Sequence, residues 1–199
     1  MPLVSSDVYS TAGETVARVL TLQSSVVRAT FSARGLSTIS LLAASAATVH
    51  VSNDAFRLSV DGKTEIMSNA LPTPSISSGA SHVAYTYHTD ALTMVCTYTL
   101  RQSAAFVTKT LAISPGAGRP PPLNATNVTL FSHLITTTSD GALPSSSITA
   151  RSSFGLGDYA LFRRWPAAEL GLMLTAQNPY LALTTDAKGS STLTYAPMV

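Results

Sequence analysis

Charge is scarce in this chain. Asp, Glu, Lys and Arg make up 11% of its 199 residues and leave a formal net charge of +2, where an average soluble domain gives about a quarter of its residues to charge. Arg163 and Arg164 form the one adjacent basic pair. Nucleic-acid binding needs a stripe or patch of such residues, so that partner class is excluded. Cysteine is scarcer still: Cys96 stands alone, which rules out an intramolecular disulfide. Its setting in "ALTMVCTYTL" reads as a buried strand thiol rather than a nucleophile.

Signatures of chemistry are missing as well. There is no paired-cysteine metal site, no glycine-rich phosphate loop opening a helix, no nucleophile elbow and no zincin helix, so no cofactor or metal is implied. "FGLGDY" sets Gly155 and Gly157 at the interval that begins a dinucleotide fingerprint, but the third glycine and the strand-to-helix context are absent. The longest apolar stretch, "GLSTISLLAASAATVHV", is interrupted by Ser and Thr and is too short and polar for a membrane span; it reads as core. The opening "MPLVSSDVYSTAGE" has neither a basic n-region nor an apolar h-region, so it announces no secretion, and the compartment stays open. Asn124 and Asn127 in "NATNVT" are glycosylation acceptors in a secretory pathway and otherwise a chance match in a Thr-rich strand.

What the chain has in abundance is hydroxyl groups. Ser and Thr supply about a quarter of the residues, so the solvated faces suit sugars or other neutral polar partners better than phosphates. The length fits one substantial core, and all-β domains of this size often run undivided, so residues 1–199 are expected to form a single domain. The recurrent period is two. In "HVAYTYHTD", Val83, Tyr85 and Tyr87 alternate with Ala84, Thr86 and His88; in "TMVCTYTLR", Met94, Cys96, Tyr98 and Leu100 share one face. A short loop near Asp90 makes the two a hairpin. "AFRLSVDGKTEI" repeats the pattern around an Asp61-Gly62 turn, with Lys63 starting the return strand. "ARVLTLQ", "VVRATFSARG", "SAAFVTKTLAIS" and "NVTLFSHLITT" complete the set expected of an antiparallel β-sandwich with little helix. Only "ALFRRWPAAELGLML" hints at a helix, with Pro166 in its first turn. "SPGAGRPPPL" and "LPTPSISSGASH" read as loops.

Candidate site residues are few. His82 and His88 are separated by an even number of positions and share a face of an unbroken strand, either as a pair reaching one ligand or as ordinary strand histidines. Asp158 and Glu169 flank the tryptophan region, either as an acid and base couple or in turn and surface roles. In "GLMLTAQNPYLAL" two apolar runs are hinged on Gln177, Asn178 and Pro179, a few residues after Trp165, the only tryptophan.

The order "ARGLSTISLLAA", "NDAFRLSVDGK", "VAYTYHTDALTMVCTYTLRQSAAFVTKTLAIS", "NVTLFS" resembles the N-terminal β-supersandwich of multidomain glycoside hydrolases of the α-galactosidase (melibiase) group, a fold shared with galactose mutarotases. The likeness covers most of Ala33 to Leu130 and, more loosely, "GLGDYALFRRWPAAELGLMLTAQNPYLAL". It lies in layout and texture, with no diagnostic motif. The resemblance implies a supersandwich packed on a catalytic (β/α)₈ barrel that supplies the catalytic carboxylates, so this chain is expected to be inactive alone and to be part of a larger protein. It also implies a sugar contact in which Trp165 stacks on a pyranose and Gln177, Asn178 and Asp158 bind hydroxyls. A plain turn at Asn178-Pro179 and a core role for Trp165 are the alternatives. A free-standing carbohydrate-binding or protein-interaction module remains open, as does a mutarotase-like epimerase. The Asn-His pair leading into an aromatic strand that an epimerase would carry is missing around His82, His88 and His133.

Overall fold

The computed structural model describes residues 19–42, 48–60, 64–116, 125–137, 146–151, 158–165, 170–175, 181–185 and 190–195. These form antiparallel sheets with no helix among them. The chain divides into two compact units, one of residues Met1–Thr48 and Leu71–Pro122, the other of Val49–Ala70 and Leu123–Val199.

In the first unit, β1 (Leu20–Gln23), β2 (Val27–Ser32) and β3 (Gly35–Leu41) form a meander. Ser24 closes its first turn by accepting from the Val26 and Val27 amides at 3.1 and 3.0 Å. The second turn ends on Gly35 at φ 149°, a backbone region closed to side chains. A second meander runs β7 (Ser75–Gly79), β8 (His82–His88), β9 (Leu92–Thr99) and β10 (Thr108–Pro115). Alternation fixes which side faces inward. Met94, Cys96 and Tyr98 on β9 and Val83, Tyr85 and Tyr87 on β8 are all buried. Leu22, Ala29 and Phe31 of the other sheet are also buried. Tyr98 lies at the junction, edge to face with Phe31 at 5.3 Å and with Tyr85 at 5.8 Å between centroids. The Tyr85 hydroxyl donates to the Ser32 carbonyl at 2.7 Å, so the inner face of one sheet is bonded to the end of the other. This is a two-layer sandwich.

The second unit is built on β11 (Ala125–Thr137). One side of β11 pairs with β16 (Ser190–Tyr195), which pairs in turn with β15 (Leu181–Thr185). On its other side, β5 (Arg57–Val60) covers Ala125–Thr129 and β4 (Thr48–Ser52) covers Leu134–Thr137. β6 (Thr64–Met67) completes a hairpin with β5. Three further strands, β12 (Ser146–Arg151), β13 (Asp158–Trp165) and β14 (Leu170–Thr175), make a separate sheet. Leu161 of that sheet packs with Phe131, Leu183 and Leu193 of the first in one buried cluster.

Two expectations are corrected. The described residues of "ALFRRWPAAELGLML" are not helical: they belong to β13 and β14, which run as paired strands, with Leu161, Arg163 and Trp165 buried while Phe162 and Arg164 are exposed, and Pro166 lies outside the described residues. Alternate burial of this kind is the signature of a sheet face. "LPTPSISSGASH" contains β7, an edge strand whose polar residues are tolerated because four of its five positions are exposed. The Asp61-Gly62 turn with Lys63, and the proline run of "SPGAGRPPPL", fall outside the described residues.

Phe31→Ala should lower the unfolding free energy by about 3–5 kcal/mol, since it empties a fully enclosed aromatic site. Tyr85→Phe should cost about 1 kcal/mol for the hydroxyl's bond to the Ser32 carbonyl. Urea titrations check both. Cys96, 3% exposed, should resist a thiol reagent in the native state and react at once in denaturant.

Candidate functional site

The anticipated sugar-contact residues are placed as follows. Trp165 ends β13 opposite Leu170 and is 3% exposed, so its indole anchors the core and presents no face to a ligand. Asp158 opens β13 with its backbone opposite Arg151. Gln177 and Asn178 lie outside the described residues, as do Glu169 and Asn124. The apolar runs flanking Gln177 and Asn178 are β14 and β15. His82 and His88 do share a face, but they sit at the two ends of β8, roughly 20 Å apart at a rise of ~3.3 Å per residue. They cannot hold one ion. His88 Nδ1 bonds Thr93 Oγ1 at 3.1 Å, and no group of three metal-ligating side chains occurs among the described residues. The residues following Gly155 and Gly157 open strand β13 rather than a helix, which removes the dinucleotide reading.

The structure instead brings together four polar residues in the second unit, three turned inward by strand alternation and one by a turn. Along β11 the inward series steps from Phe131 to His133, along β16 from Leu193 to Ser191, and along β13 from Leu161 to Arg163. Phe131 faces Leu193 in register, and His133 faces Ser191. Thus each strand leaves the apolar cluster at the same level and passes into a polar layer. Arg163 donates from Nη2 to Ser191 Oγ at 3.0 Å, spanning the two sheets. The fourth member comes from the connection between β4 and β5. Because those strands cover separate halves of β11, the segment joining them passes beside the residues in between. Asn53 takes φ 61°, a left-handed conformation that Asn adopts more readily than most residues, and the Ala55 amide bonds back to the Asn53 carbonyl at 2.8 Å. That tight turn aims Asp54 inward. His133 donates from Nε2 to Asp54 Oδ1 at 2.7 Å, with the two side chains 7% and 3% exposed. The imidazole also stacks on Phe131, 4.3 Å between centroids and 17° from parallel.

Asp54, His133 and Ser191 have the composition of a nucleophilic triad but not its disposition. Ser191 is fully buried and accepts from Arg163, and His133 has its Nε2 proton committed to the carboxylate. The layer satisfies buried polar groups, and among the described residues no buried side-chain polar atom lacks a partner. Sequence reasoning passed over it because a single inward polar residue per strand is unremarkable. The available signal is "LFSH", "SSTL" and "LFRR", each placing a polar residue two positions from an inward apolar one. Only the strand register reveals that the three coincide.

Comparison with known proteins returns no match: no family model fits the chain, and no curated protein or solved structure aligns significantly with it.

Asp54→Ala and His133→Ala should each lower stability by about 1.5–3 kcal/mol, the range for a hydrogen bond to a charged group. The double variant should lose less than the sum, because both changes remove one bond. A double-mutant cycle in urea measures that coupling.

Proposed function

We propose that the chain is a non-catalytic β-sandwich component of a carbohydrate-active protein, similar in role to the accessory sandwiches of α-galactosidase-type glycoside hydrolases, associating with a catalytic partner and touching neutral saccharide. The observation that carries this reading is the outer face of β7–β10. Ser77, Ala84, Thr97 and Thr110 form one cross-strand row, and Gly79, His82, Thr99 and Thr108 the next. No Asp, Glu, Lys or Arg side chain belongs to either row. Such a face offers hydroxyl donors and acceptors without a field, which suits a neutral polyol and gives an ionic ligand nothing to pair with. Within the second unit, Asp54, His133 and Arg163 are enclosed and engaged with one another or with Ser191.

Glycoside cleavage needs two carboxyl groups held at a defined separation across one bond, and in this reading the catalytic partner supplies them. The chain alone should therefore give background rates on aryl galactosides and glucosides. It should bind galactose and raffinose-type oligosaccharides in the millimolar range, the order of affinity of a small contact that loses much of its free energy to ordering. Hydrolysis of a chromogenic glycoside and a titration on the same sample test both. Turnover abolished by Asp158→Asn would make the chain an enzyme and end the accessory reading.

A further inference from the structure

We draw no further inference here: the strongest candidate, the buried polar layer of the second unit in which Asp54, His133, Ser191 and Arg163 meet, belongs to the site already described, and its side chains are committed to one another inside the fold.

Discussion

A side chain at an inward position of a packed strand has no route to water, and everything polar that this chain directs inward must find its partner there. In an α-helix a misplaced polar group can rotate toward the rim of the apolar stripe; in a sheet the two faces are separated by the backbone itself. The second unit answers this by assembling its inward polar residues at one level. His133 and Ser191 are cross-strand neighbours, Arg163 reaches Ser191 from the facing sheet, and Asp54 enters from a turn. Burying one of these alone would carry the full desolvation penalty, so their value lies in being together. In the first unit the Tyr85 phenol meets the same constraint by bonding the Ser32 carbonyl.

The strands that carry the first unit were legible because the residues on their two faces differ in kind. On β9 the inward series Met94, Cys96, Tyr98 alternates with Thr93, Val95, Thr97, and the observed burial follows that split. Legibility failed where the alternation is blurred. "ALFRRWPAAELGLML" places apolar residues at Leu161, Phe162 and Trp165, spacings that a helix could also use, and Arg163 at an inward position hides the period of two. β7 was hidden for the opposite reason: a strand with most of its positions exposed has no apolar face to announce it. At the site, the neutral, hydroxyl-rich character of the surface could be read from composition. The identity of the inward aromatic could not, because Trp165 and Phe162 differ by an odd number of residues and only the direction of the strand decides which of them meets solvent.

The polar layer also explains why the connection between β4 and β5 is so constrained. β11 is long enough to take both strands along one side, and the chain must cross from one to the other without a regular ladder. Asn53 in a left-handed conformation and the bond from the Ala55 amide to its carbonyl make the crossing within a few residues. Ser68 secures the far end, exchanging bonds between its own amide and hydroxyl and the Phe56 backbone at 3.0 and 2.9 Å. The segment is thereby held at both ends around the one carboxylate that His133 requires.

The order of the chain gives the two units different histories during synthesis. Residues Val49–Ala70 belong to the second unit but are flanked on both sides by stretches of the first. As the polypeptide emerges, the first unit has all its strands once Pro122 has been made, while the β5–β6 hairpin waits for β11, and Asp54 for a histidine 79 positions later. A nascent chain therefore passes through a period in which one sandwich can close while a carboxylate and the edge of a hairpin remain in water. The Ser and Thr residues along that hairpin, and the ion pair of Arg57 with Glu65 at 3.2 Å, keep it hydrated and discourage pairing with another ribosome's product.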